Sequence, residues 1–340
     1  MDFIRKERRY IVMAFFILLI TALNLGHGQK RHVDEKGVLS AKTIGELGIT
    51  EDKIKAFFES DRPLARVFKY GFMAVMSAFL LGILLNLRVI VRKGDAIFKI
   101  DPGRAPVAWS SYDILKVVII IVFSGYALNA FEHFTLKPFN VSLDSNLLVI
   151  VNTFLIDAIA VLVILYFVMV KYGKGVDSLG LKSAGIHKNI LVGIAAYAFI
   201  LPTLLAILIL SMLLMDFLGY KPPPQPVFDL FLEEKRSNVI LFLTIFVSVL
   251  GPMIEEIFFR GFLYGAVKKR FGIAAGVILS AALFSALHTN IIGFLPIMAL
   301  GVLMAYLYET TGSLVASITV HVLHNSLIVS FVFLIKELIK

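Results

Sequence analysis

The sequence predicts an all-α fold, a polytopic transmembrane helical bundle of about nine spans (eight to nine), and three observations carry that expectation. Of the 340 residues, 59% are hydrophobic and only 17% charged, and the mean hydropathy is strongly positive, so most of the chain cannot form a soluble globule. The apolar residues gather into runs long enough to cross a bilayer as helices. The basic residues fall mainly in short segments between those runs, where they orient helices rather than bind nucleic acid, despite a net charge of +9.

The first apolar run, 10–26, follows Arg5, Lys6, Arg8 and Arg9. No small-x-small cleavage site follows it cleanly, so it reads as an uncleaved anchor rather than a removed signal. Residues 27–66 interrupt the pattern with a polar segment in which acidic residues accompany the basic ones; 44–58 within it has helical character and no evident chemistry. Further apolar runs lie at 67–90, 114–131, 147–170, 190–218, 239–267, 273–289, 293–309 and 313–337.

Alternate loops between these runs are basic. Arg88, Arg92, Lys93, Lys99 and Arg104 mark one, Lys171, Lys174, Lys182 and Lys188 a second, and Lys268, Lys269 and Arg270 a third. The positive-inside rule puts those loops and the N-terminus in the cytoplasm. The loop 220–238 carries Pro222-Pro223-Pro224-Gln225-Pro226, which fits an extended spacer better than a substrate-facing lid. It continues into Phe228-Asp229-Leu230-Phe231-Leu232, which can lie in the membrane interface.

The chain has no cysteine, so a disulfide framework, a thiolate metal site and a cysteine nucleophile are all excluded. Chemistry must come from Glu, Asp, His, Asn, Ser or Arg. Gly251-Pro252-Met253-Ile254-Glu255-Glu256-Ile257-Phe258-Phe259-Arg260 sets two adjacent carboxylates inside an apolar run, where an ionisable group is costly and marks a working site. On a helix Glu256 and Arg260 share a face, whereas Glu255 points about 100° away. A purely structural ion pair explains Glu256 and Arg260 as readily as a functional one. It leaves Glu255 as a carboxylate suited to proton transfer.

Ala282-Leu283-Phe284-Ser285-Ala286-Leu287-His288 and Val320-His321-Val322-Leu323-His324-Asn325 place three of the seven histidines in the last apolar runs. At about 1.5 Å per residue on either side of the basic turn near Phe271, an antiparallel helical pair brings Glu255 and His288 to similar depth, so they can face one another. His321 and Asn325 lie on one helical face, and two neutral donors there would make an oxyanion hole. His324 sits on a neighbouring face, in packing or support. A carboxylate base, an imidazole sharing a water and a pair of donors imply hydrolysis of a peptide bond by activated water. Two other readings compete. Glu255, Glu256, His288, His321 and His324 include enough ligands for zinc, although no H-E-x-x-H helix is present. Intramembrane Glu, Arg and His also mark the ion paths of carriers, but the paired interrupted helices of such proteins are not found.

These blocks resemble the CAAX-protease and bacteriocin-processing family of membrane proteases, also called the Abi family. Its pattern reads here as Glu255-Glu256-x-x-x-Arg260, Phe284-x-x-x-His288 and His321-x-x-x-Asn325, in the family's order. The resemblance covers roughly 147–334 and divides the chain into an N-terminal membrane region, 1–146, and an intramembrane protease domain, 147–334. It implies an intramembrane cavity in the plasma membrane of a prokaryote, where Glu255 and His288 activate water and His321 and Asn325 hold the oxyanion. Glu256 and Arg260 would fix the helix and orient the base. Older descriptions of the family invoke a metal; the likeness to glutamate-type intramembrane peptidases implies water activation with no cofactor, zinc being the alternative. The implied partners are the lipid bilayer and a membrane-associated, prenylated or secreted peptide or protein substrate. Since family members also confer immunity, a catalytically idle scaffold is the competing expectation.

Overall fold

A computed structural model of the chain describes residues 2–26, 48–91, 106–136, 145–220 and 226–339. The prolines at 222–224, the basic residues at 92–104, Lys137 and most of the polar segment after residue 26 lie outside the described residues.

Every regular element among the described residues is helical. In chain order these are α1 (Asp2–Gly26), α2 (Glu51–Glu59), α3 (Pro63–Val91), α4 (Ser111–Phe131), α5 (Ser145–Leu165), α6 (Ile186–Phe217), α7 (Pro226–Glu233), α8 (Ser237–Ile245), α9 (Gly251–Glu256), α10 (Gly265–Leu287), α11 (Ile291–Thr311) and α12 (Leu314–Ile339). Seven helical stretches among the described residues are long and apolar enough to cross a membrane. The longest, Ser237–Leu287, runs through α8, α9 and α10 for 51 residues but breaks at Gly272 (φ 85°, ψ 173°), a backbone region that suits glycine alone. It therefore supplies two legs, and Gly276 on the second comes back against Tyr264 and Lys268 on the first. Together with α1, long helices underlie all nine expected runs.

Local chemistry sets the helix ends. Thr50 caps α2 by accepting from the Lys53 amide at 3.3 Å, and Glu51 and Asp52 complement the positive end of its dipole. Pro63 opens α3, where a missing amide hydrogen costs nothing. The interface segment expected at 228–232 is the amphipathic α7. Inside α6, Pro202 removes a backbone donor. Asn86 of α3 donates to the Phe199 carbonyl beside that break at 2.8 Å.

The basic loops meet at one end of the bundle. Lys116 pairs with Glu7 at 2.7 Å, Lys171 pairs with Asp113, Lys269 donates to the Val107 carbonyl at 3.1 Å, and Lys268 pairs with Glu309. Tyr308 donates to the Leu179 carbonyl at 2.8 Å in the same region. The opposite end holds Lys336, which donates to the carbonyls of Phe231 (2.8 Å) and Glu234 (2.6 Å), and Arg62 beside Glu337 (3.7 Å). Between the two ends the main core closes on Trp109, Phe167, Phe262, Phe284 and Met304. α6, α10, α11 and α12 pack against one another around it.

Candidate active site

Two π-helical segments, Phe246–Leu250 and Ile257–Tyr264, flank α9, and π-turns concentrate at functional sites because they re-aim side chains. The first has a legible cause. The Gly251 amide donates to Phe246 O, five residues back. In that register the next donor would serve Val247 O, but residue 252 is proline and has none. Asn325 of α12 fills the vacancy, its Nδ2 donating to Val247 O at 2.9 Å.

Below that turn Glu256 and Arg260 are wholly buried and ion-paired. Arg260 Nη2 also donates to Gly301 O at 3.2 Å, and its guanidinium lies over the Phe284 ring, 4.5 Å from the centroid. A side chain at residue 301 would press on Ala281 of α10 (3.0 Å) and crowd Arg260 Nη2 (3.4 Å), so glycine there admits both. The pairing expected of Glu256 and Arg260 by helical spacing is thus present, and Arg260 fastens α11 as well.

His321 joins the two carboxylates. Its Nδ1 lies 3.1 Å from Glu256 Oε1 and its Nε2 lies 3.7 Å from Glu255 Oε2. A carboxylate only accepts, so Nδ1 carries the proton toward Glu256 and Nε2 is left on the side of Glu255. His321 is 2% exposed and Glu255 37%, so Glu255 is the accessible one of the two acids. Its Oε2 is nevertheless buried with no hydrogen-bond partner among the described residues, an unsatisfied acceptor that a reacting water would satisfy.

His288 caps α10 and is exposed. Its Nδ1 lies 2.7 Å from Phe284 O; a carbonyl accepts, so Nδ1–H donates and Nε2 keeps its lone pair. The following residue, Thr289, holds φ 50°, a strained conformation for a β-branched residue. The Ser285 hydroxyl donates to Phe294 O at 2.5 Å, and Asn290 caps α11 through the Gly293 amide at 2.9 Å. The turn bearing His288 is therefore held from both sides.

No hydrogen bond joins Glu255 to His288 among the described residues. The Phe284 ring lies 4.7 Å from His288 and 5.3 Å from His321. His324 turns toward α6, where Tyr197 OH lies 3.3 Å from its Nδ1, a supporting position.

Asp157, the lone acid of the apolar run 147–170, lies midway along α5, a helix that packs against α9.

For zinc the donor set fits poorly. Arg260 and His321 already occupy Glu256 Oε1, and no three such side chains among the described residues are grouped as a metal would need.

Residues 237–327 match the family model described as type II CAAX prenyl endopeptidase Rce1-like. That segment contains Glu255, Glu256, Arg260, His288, His321 and Asn325. The chain is 27% identical over 110 residues to a putative membrane peptidase, YdiL, of Bacillus subtilis, covering 30% of this chain and 45% of that protein. It is 29% identical over 140 residues to the membrane-embedded CAAX protease MroQ of Staphylococcus aureus, covering 39% of this chain and 55% of the relative. The chain thus spans about half the length of the curated relatives it matches. No solved structure matches it. With its spanning helices this is a multi-pass integral membrane protein, and its segment 237–327 and its bacterial relatives liken it to the membrane CAAX proteases.

Proposed function

We propose that the chain is an integral-membrane endopeptidase that hydrolyses peptide bonds with water activated by Glu255 and His288. The observation that carries the reading is the bridge formed by His321 between a buried, Arg-paired Glu256 and an accessible Glu255. The pair fixes the imidazole; the second acid stays available as a base.

Glu255 accepts a proton from the attacking water, and His288 holds that water through the lone pair on Nε2, its tautomer set by Phe284 O. The oxyanion that develops on the scissile carbonyl meets His321 Nε2 and Asn325. His321 donates there only in its protonated form, because Nδ1 faces Glu256. Asn325 gives one amide hydrogen to Val247 O and has a second for the oxyanion. Apolar helices exclude bulk water around these groups, which strengthens each interaction. The substrate class that fits is a membrane-associated, prenylated or secreted peptide or protein.

The test compares wild type, Glu255→Gln and His288→Ala in liposomes for cleavage of a quenched-fluorescent peptide library, with and without chelator. Cleavage by wild type, insensitive to chelator and reduced about 100-fold or more in both variants, is the expected result, since a positioned acid–base group contributes about 10²–10⁴-fold. Equal activity in all three sinks the assignment of these residues, and loss on chelation restores the zinc alternative.

A further inference from the structure

At the end of the bundle opposite the basic loops, α2 ties α3 to α12, where Phe57, Ala65 and Leu338 meet. Farther along, α3 leans on α6, and a side chain at Gly82 would strike the Ala198 carbonyl and Pro202. Between α3, α12 and Ile240 of α8 a groove of about 700 Å³ stays open. Val67, Phe68, Phe72, Phe331 and Leu334 line it, and Ser330 is the one uncharged polar side chain among its described lining residues. Its charged groups gather at one end: Lys336 and Glu337 of α12, with Arg62 beside Glu337.

The α3 wall runs from Leu64 to Val75 and the α12 wall from Leu327 to Glu337. At about 1.5 Å per residue each is about 15–17 Å long, half of a hydrocarbon core about 30 Å thick. The groove therefore has the depth of a single leaflet, with charge at its aqueous end and apolar walls below. An extended peptide does not suit it, because the walls are helices whose backbone groups are already paired, and a peptide's own amides would be left unsatisfied in hydrocarbon. A helix does not suit it either: about 15 Å of helix some 10–12 Å across fills roughly twice the groove's volume. A hydrocarbon chain needs no hydrogen bond and is thin enough to enter. At the mouth Arg62 has a side chain 69% exposed and stands 3.7 Å from Glu337, a loose pairing from which a guanidinium can turn to a phosphate. Arg62 and Lys336 outweigh Glu337 there, so the mouth's own charges favour an anionic headgroup.

We propose that this groove binds a phospholipid of the leaflet opposite the basic loops, with an acyl chain along Phe68, Phe72 and Phe331 and its phosphate at Arg62. The proposal does not depend on the endopeptidase reading. Leu327, Ser330, Phe331 and Leu334 lie on the face of α12 turned away from His321 and Asn325. The lipid thus braces α12 from behind and stays outside the candidate active site.

The experiment uses the full chain in detergent with phosphatidylglycerol bearing a diazirine near the end of an acyl chain, followed by mapping of the cross-linked peptides. Labelling should fall within 64–75 and 327–337 and be displaced by unlabelled phosphatidylglycerol. A side chain at Gly71 meets nothing within 4 Å, so Gly71→Trp fills the groove without disturbing its walls, and Val67→Trp, at an exposed position, does the same from one turn away. Both should lower labelling about tenfold or more with the melting temperature kept. Arg62→Gln should weaken phosphatidylglycerol binding about three- to tenfold and leave a diacylglycerol of the same chains unaffected. Labelling spread evenly over the lipid-facing surface, or unchanged in both Trp variants, overturns the proposal. So does loss of peptide cleavage in Gly71→Trp with lipid labelling intact, which gives the groove to the substrate, or loss of a dimer with labelling intact, which gives it to a second copy of the chain.

Discussion

Asn325 has two duties, and they can be separated. Its hydrogen bond to Val247 O exists because Pro252 supplies no amide hydrogen. Asn325→Ala therefore leaves a buried carbonyl unsatisfied, at a cost of about 1–3 kcal/mol. Pro252→Ala restores a backbone donor. The double variant Asn325→Ala, Pro252→Ala should recover the melting temperature in detergent while peptide cleavage stays low, because the donor to the oxyanion is still missing. Recovery of both would reduce Asn325 to a structural role. Arg260 behaves differently, since Arg260→Ala strands a fully buried Glu256 and should destabilise by about 3–5 kcal/mol.

The residues of this cluster were legible from sequence because a polar side chain in hydrocarbon has so few explanations. Glu255, Glu256, Arg260, His288, His321 and Asn325 all announced themselves that way. What they touch was less legible. Spacing paired Glu256 with Arg260 correctly, but the face that Glu255 turns to His321 depends on the π-turns either side of α9, which shift the helical register. Simple depth counting brought Glu255 level with His288 and gave no hint that the Phe284 ring packs against His288 and His321 alike.

At the scale of elements, the link between α7 and α8 is a clip. Glu234 Oε1 accepts from the amides of Lys235 (2.9 Å) and Arg236 (2.8 Å) and from Arg236 Nε (2.9 Å). Glu234 Oε2 accepts from Arg236 Nη2 at 2.5 Å. These hydrogen bonds, those of Arg236 foremost, hold its carboxyl down at about 2. A carboxyl depressed in the folded state contributes stability above its unfolded value and loses it as pH falls toward the folded one. The clip should hold at neutral pH and release between about pH 4.5 and 2. Hydrogen exchange of the amides at 235 and 236 should accelerate across that window relative to neighbouring loops, and Glu234→Gln should abolish the acid dependence.

A second element-scale constraint lies between α6 and α12. A side chain at Gly193 would meet the Ala316 carbonyl and Thr319 Cβ, each at 2.7 Å. The two backbones meet there because the residue is small, as is usual where membrane helices cross closely. Gly193→Leu should force them apart and disturb His321, five residues beyond Ala316. Loss of cleavage together with a lowered melting temperature is expected.

For the whole molecule, loop charge and contacts agree on direction. The segments read as cytoplasmic carry Asp113, Lys171, Lys268 and Lys269, and these residues are tied into one end of the bundle. Depth counted along the chain depends on how far each helix overhangs its neighbours. Reckoned from the turn at 268–272, Glu255 stands some 22–25 Å away, beyond mid-membrane unless the helices tilt or extend into water. Yet the clamp of Lys268 and Tyr264 on Glu309 shows that the turn protrudes past the start of α12. His321, seven residues into α12, is only about 10 Å from that helix's basic end. Glu255 and His321 therefore meet part-way along the bundle, on helices of unequal overhang. Because the chain has no cysteine, single substitutions report sidedness directly. With an impermeant maleimide on intact cells, Asp61→Cys should label and Lys174→Cys should label only after permeabilisation. The reverse pattern would invert the bundle, and with it the face from which a peptide reaches Glu255.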